Sequence, residues 1–115
     1  MSTPTRKTLD WMNKREWVHG LVEQYNHKIK RKNDLFGIFD YIALDGDYII
    51  GVQSCDASFK AHTKTILKHR EAAIKWLKGQ GKILLIGWRI LKIDGKDKYR
   101  PRIKFFKMED FENGK

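Results

Sequence analysis

The spacing of apolar positions changes along this chain, and each change marks an element. Ser2-Thr3-Pro4 supplies hydroxyl caps and then a proline whose missing N–H costs nothing in a first helical turn, so a helix is predicted from there with Leu9, Met12 and Glu16 on one face. It is expected to give out between Trp17 and Gly20. Leu21 to Tyr25 then reads as a first strand, and the polar, basic run His27 to Asn33 as a connection. Phe36 to Leu44 is dense in aromatic and β-branched residues and ends at Asp45-Gly46-Asp47, a hairpin signal, after which Tyr48 to Cys55 returns as a third strand.

From Ser58 to Lys78 the period becomes helical. Phe59, Ile66, Leu67, Ala73, Ile74 and Leu77 fall in one arc and Lys60, Lys64, Lys68, Lys75 and Lys78 in another, with Arg70 inside the apolar arc. Gly79-Gln80-Gly81 stops that helix. Lys82 to Leu91 reads as a buried strand, Asp94 to Asp97 as a turn, and Tyr99 to Phe106 as a last strand that Pro101 places at a sheet edge. The prediction is an α+β domain over residues 1–115: a helix, a three-stranded antiparallel meander, a long helix and two further strands, in one mixed sheet flanked by helices.

Charge sharpens this picture. Lys and Arg number 24 against 14 Asp and Glu, a net charge of +10, which in a small domain points to a polyanionic partner, nucleic acid before an anionic membrane surface. The distribution is uneven. Between Asp34 and Cys55 there is no Lys or Arg, only Asp34, Asp40, Asp45 and Asp47, whereas Ala57 to Met108 carries 15 Lys or Arg against Glu71, Asp94 and Asp97. An acidic island in a basic chain is what a cation site within a polyanion-binding surface requires; Asp45 and Asp47 are assigned to the turn itself. The single Cys55 excludes a disulfide framework and a Cys-rich zinc site, and fits a reducing compartment. No secretory leader is evident, and no window approaches the ~20 apolar residues of a membrane helix, so a non-membrane, cytoplasmic protein is expected.

The candidate chemistry lies in the island. Asp40 and Gln53 stand on adjacent predicted strands, a carboxylate and an amide oxygen of the kind that hold a hard cation against a phosphate, where it polarises the ester and acidifies water. A neutral amide adds little affinity, so a further acid is required: Asp34, Glu16 or Glu23. Asp34 is six residues from Asp40, about 20 Å of extended chain, and can join only if the backbone bends near Gly37. His19, His27, His62 and His69 show no metal-ligand spacing, and Trp11, Trp17, Trp76 and Trp88 read chiefly as core, Trp88 being the candidate base-stacking exception.

Gly37-Ile38-Phe39-Asp40 followed by Gln53-Ser54-Cys55 resembles the Gly-x-Pro-Asp and Glu-x-Lys strands of the PD-(D/E)XK nuclease superfamily, with Phe39 for proline and Gln53 and Cys55 for glutamate and lysine. The plan Arg31-Lys32-Asn33-Asp34-Leu35-Phe36-Gly37, Val52-Gln53-Ser54 and Gly87-Trp88-Arg89 is similar to small phage-type and Holliday-junction-resolvase-like members. The resemblance implies a restriction-endonuclease-like fold and a metal-dependent DNA endonuclease acting on branched or structured DNA, a substrate that would favour a homodimer. It implies Mg²⁺ or Mn²⁺ at Asp40, Gln53 and Asp34, with Glu23 a further acid of the site, and DNA contacts from Lys60, Lys64, Lys68, Arg70, Arg31, Lys32 and Arg89. Without its lysine the site needs a cation from elsewhere, for which Lys60, Lys64 and Arg70 are candidates. The alternative is a catalytically decayed nucleic-acid-binding protein of the same fold. An unrelated basic RNA-binding domain would explain the charge but not the acidic island.

Overall fold

The computed structural model describes residues 4–22, 24–26, 28, 31–56 and 58–112, with only the backbone considered for 4, 24–26 and 31–33. The order is α1 (Pro4–Lys14), β1 (Val18–Leu21), β2 (Gln24–Asn26), β3 (Arg31–Asn33), β4 (Tyr41–Leu44), β5 (Ile49–Cys55), α2 (Phe59–Lys68), α3 (Arg70–Lys78), β6 (Lys82–Ile93), β7 (Lys96–Phe106) and α4 (Met108–Glu112). This is an α+β fold with a five-stranded mixed sheet, ordered β1-β4-β5-β6-β7, and four helices among the described residues. β1, β4 and β5 pair antiparallel, the α2–α3 crossover makes β6 parallel to β5, and β7 returns antiparallel to β6 as an edge strand. No helix of the described residues is long and apolar enough to cross a membrane.

Strand alternation splits the core across the two faces of the sheet. Tyr41, Ala43, Ile50, Val52, Leu84 and Ile86 pack against Trp11 and Met12 of α1. Ile83, Leu85 and Cys55 pack on the opposite face with Phe59, Ile66 and Ala73 of the helical crossover. The Ile83–Ile86 run is buried on both sides, as its unbroken apolar pattern requires of a central strand.

Several boundaries differ from those the sequence predicts, among them the last hairpin, whose strands run to Ile93 and from Lys96. α1 ends at Lys14 because Trp17 and Glu16 N–H groups donate back to Met12 and Asn13 carbonyls, a Schellman closure with Glu16 left-handed at φ 60° where a glycine would have announced it. The first strand of the sheet is Val18–Leu21, while part of the expected connection, Arg31–Asn33, pairs with Gln24–Asn26 in a separate hairpin. The expected strand from Phe36 begins only at Tyr41, after a tight turn at 34–39. The expected long helix is broken at His69, whose N–H is shared between the Thr65 and Ile66 carbonyls and whose ring Nδ1 donates to Thr65 O at 2.8 Å. The five lysines therefore do not share one helical arc: Lys60, Lys64 and Lys68 lie on α2, and on α3 Lys75 pairs with Glu71 at 3.2 Å.

Candidate functional site

The turn preceding β4 builds the site. Gly37 N–H donates to Asp34 O, Leu35 and Phe39 exchange backbone hydrogen bonds, and Phe36 and Gly37 both take positive φ, 57° and 74°. The chain thus doubles back at Gly37. This bend returns Asp34 to β5, where Gln53 Nε2 donates to Asp34 Oδ2 at 3.0 Å. His69 fixes the bend from above: a Cβ on Gly37 would lie 2.6 Å from His69 Nε2. With Nδ1–H committed to a carbonyl, Nε2 is the ring nitrogen that faces this turn.

Asp40 is set by a different device. Its N–H donates to Val52 O although Tyr41 is the residue in register with Val52, so two residues oppose one in the manner of a β-bulge. The offset takes Asp40 out of the simple alternation that β4 would otherwise continue from Ile42 and Leu44. β4 pairs with β5 only as far as Val52, which leaves the next amides of β5 to find other acceptors. Asp40 Oδ2 meets Ser54, accepting its N–H at 3.0 Å and its hydroxyl at 3.3 Å. Both Asp40 and Gln53 are nearly closed to solvent, at 8 % and 3 % exposure.

Two carboxylates are therefore pinned to consecutive residues of β5, and one polar atom of the Gln53 side chain is left over. Gln53 Oε1 is buried with no hydrogen-bond partner among the described residues. An orphaned buried acceptor costs on the order of 1–3 kcal/mol and calls for an explanation. Among the described residues no three His, Cys, Asp or Glu side chains are placed together to hold a metal; the side-chain oxygens brought to this end of β5 belong to two carboxylates and one amide.

Cys55, at the motif's lysine position, is 5 % exposed, and its thiol is pushed up to about 11, first by burial and then by the charges of Asp56 and Asp40. It is a neutral thiol at physiological pH, neither cation nor ready nucleophile. Across the sheet, Cys55 is in register with Gly87 and Gly87 with Arg102, a row whose middle member has no side chain. The Arg102 guanidinium lies over the Phe59 ring, 4.4 Å from its centroid, on this same face. Sequence inspection missed both Arg102 and His69, because only the strand register and the packing of α2 on the 34–39 turn bring them here.

The other expected site residues are placed as follows. Lys60, Lys64 and Lys68 are exposed on α2, and Arg89 is exposed on β6. Arg70 donates through Nη1 to the Phe111 carbonyl, tying α3 to α4. Glu23, and the side chains of Arg31 and Lys32, lie outside the described residues. Glu16 is exposed at the end of α1. Asp45 accepts the Asp47 and Tyr48 N–H groups at 2.8 Å each, which hold its carboxyl below the usual range and fix the hairpin turn. A surface groove of about 760 Å³ lined by Leu44, Tyr48, Ile49, Lys75 and Trp76 lies by the turn at the other end of β5 and contains neither Asp34 nor Asp40. No protein-family model, curated protein or solved structure matches the chain.

Proposed function

We propose that this protein is a metal-dependent DNA endonuclease of PD-(D/E)XK type with a restriction-endonuclease-like fold. The observation that carries the reading is the orphaned Gln53 Oε1, on a side chain whose amide nitrogen holds Asp34, one residue before the Ser54 that holds Asp40. The donors are all oxygen and two are anionic, which suits a hard divalent cation, Mg²⁺ or Mn²⁺. Bound by Asp34, Asp40 and Gln53, that cation supplies the positive charge on a scissile phosphate that the carboxylates by themselves would repel. The order of helix, three-stranded meander, helical crossover and two strands agrees with what the resemblance implies.

The chain's own residues divide the remaining work. Ser54 orients Asp40, and the Asp34 bend keeps a second carboxylate within reach of Gln53. Cys55 cannot stabilise developing negative charge. Arg102, reached across Gly87, is the cation of this face best placed to do so. Lys60, Lys64, Lys68 and Arg89 provide exposed positive charge for phosphates. Paired cuts on a branched substrate would require two copies of the chain.

The second reading, a nucleic-acid-binding protein without catalysis, draws on the same bonds: Asp34 and Asp40 are already satisfied by protein donors, and Cys55 is uncharged. Incubation of the purified protein with duplex, single-stranded, flap and four-way-junction DNA in Mg²⁺, Mn²⁺ or EDTA separates the two. Cleavage of at least one substrate that stops in EDTA is the expected result. Tight binding with no cleavage in either metal selects the second reading.

A further inference from the structure

β6 and β7 run past the rest of the sheet. β5 covers β6 only from Lys82 to Gly87, so Trp88–Ile93 and Lys96–Pro101 continue as a two-stranded ribbon with no further strand on either side among the described residues. Partners in register share a face, and the face is set at the foot of the ribbon, where Gly87 abuts Phe59 of α2 and Arg102 lies over the same ring. Counting outward in steps of two places Arg89, Leu91 and Ile93 of β6 and Arg102, Arg100, Lys98 and Lys96 of β7 on the α2 side. Every charge in that set is positive. The opposite side carries Ile90, Lys92, Asp97, Tyr99 and Pro101, with Lys7 of α1 over Tyr99 at 3.8 Å.

Arg89 and Arg100 stand directly opposite each other, an arrangement that destabilises a bare strand pair. Among the described residues, Arg89, Lys96, Lys98, Arg100 and Arg102 make no ion pair with a carboxylate, whereas Lys104, next along β7, pairs with Asp110 at 3.8 Å. Protection of an edge strand explains one or two lysines and Pro101. It does not explain Arg89 opposite Arg100 on β6 or the absence of any acid from this face.

We infer that the α2-facing side of the β6–β7 ribbon is a phosphate-binding arm that lies along the backbone of a nucleic-acid duplex. Its four β7 cations recur every second residue, spanning about 20 Å of strand, the axial length of about six base pairs. A two-stranded ribbon is of a size that a duplex groove admits. An anionic lipid surface fits less well, because a bilayer that received the less charged side, with Ile90 and Tyr99, would leave these cations facing water. The inference rests on the nucleic-acid part of the proposed function and not on cleavage.

The test is binding of a short fluorescent duplex in EDTA across a salt series, beside phosphatidylserine-containing vesicles. Replacing both Lys98 and Arg100 with alanine should reduce the log–log salt slope by about 1.8, since each lost phosphate contact removes about 0.9. Lys92→Ala, on the opposite side, should leave it unchanged. Arg100→Glu should weaken duplex binding at least tenfold while its melting temperature holds or rises, because it relieves the repulsion with Arg89; loss of binding then cannot be loss of fold. If the wild-type protein binds duplex and none of these variants changes the slope, the ribbon is not the arm, although the nuclease reading stands. Binding to vesicles in place of duplex overturns both.

Discussion

The 34–55 segment and the β6–β7 ribbon handle charge in opposite ways. In the first, the carboxylates of Asp34 and Asp40 are each held by a protein donor, and Asp40 is almost wholly removed from water. In the second, the cations of the α2-facing side are exposed and without an ion pair among the described residues, and two of them, Arg89 and Arg100, stand opposite each other across the strands. Buried charge has to be satisfied locally because desolvation is expensive, whereas exposed charge can wait for a partner at little cost. On the proposed reading, the contrast separates a preorganised centre, where geometry is fixed before any ligand arrives, from a docking surface whose energy is realised only on association.

Among variants that set the two regions against each other, the largest effect is expected where they meet, at Arg102. If it supplies charge to the reacting phosphate, Arg102→Ala should lower single-turnover cleavage by roughly 10²–10³, the usual cost of losing one such donor. Duplex affinity should fall only by a single contact, and Arg102→Lys should recover part of the rate. Equal losses in binding and cleavage would instead assign Arg102 to the ribbon alone.

Gly51 tests how rigidly the centre is built. The Phe39 ring crosses β5 at this position and stacks at 4.7 Å on Trp76, and a Cβ on Gly51 would collide with it. Gly51→Ala should cost about 1–3 kcal/mol in denaturant unfolding, the range for forced overpacking. Gly95, at the ribbon tip with φ 76° and no neighbour within 4 Å, should tolerate alanine better despite its backbone strain.

Gln53 sharpens the comparison further. Gln53→Glu places a carboxylate beside Asp34, so the metal-free protein should melt at a lower temperature, while the Mg²⁺ concentration for half-maximal cleavage should fall by roughly tenfold as ligand charge rises. An unchanged metal titration would leave Gln53 as a strut for Asp34.

Cys55 gives the smallest effect. Its folded value of about 11 lies above the ordinary 9.0, so between those pH values the folded chain keeps a proton that the unfolded chain has lost. Stability contributed by the protonated thiol is intact below pH 9 and declines as pH rises towards 11. Subtracting the stability curve of Cys55→Ala should isolate a decline of about 1 kcal/mol, solvent at the strand end limiting its size.

Much of the fold was legible because the patterns were strong. Asp45-Gly46-Asp47 fixed one hairpin, and the continuous apolar run at 83–86 marked a strand buried on both faces. Three features were hidden because tertiary contact decides them. Phe36 reads as strand yet adopts a left-handed turn, since the bend buries Ile38 and Phe39 together. The helix break carries neither Pro nor Gly and follows from the His69 ring bonding Thr65 and covering Gly37. The site was half visible: sequence pattern identified Asp40 and Gln53 and named the bend that Asp34 would need, but the bulge at Asp40 and the Cys55–Gly87–Arg102 row exist only in the strand register.

The central claim is that the Asp34, Asp40 and Gln53 cluster is a metal-dependent catalytic centre and not a structural knot. The most direct measurement is single-turnover cleavage by Asp40→Asn beside the wild-type protein, on whichever DNA the wild type cuts, in saturating Mg²⁺ or Mn²⁺. The substitution keeps the shape and an oxygen acceptor for the Ser54 N–H but removes the charge. The account predicts cleavage reduced by roughly 10³ or more, with duplex affinity and melting temperature close to wild type. Cleavage by pure Asp40→Asn protein at the wild-type rate would contradict it.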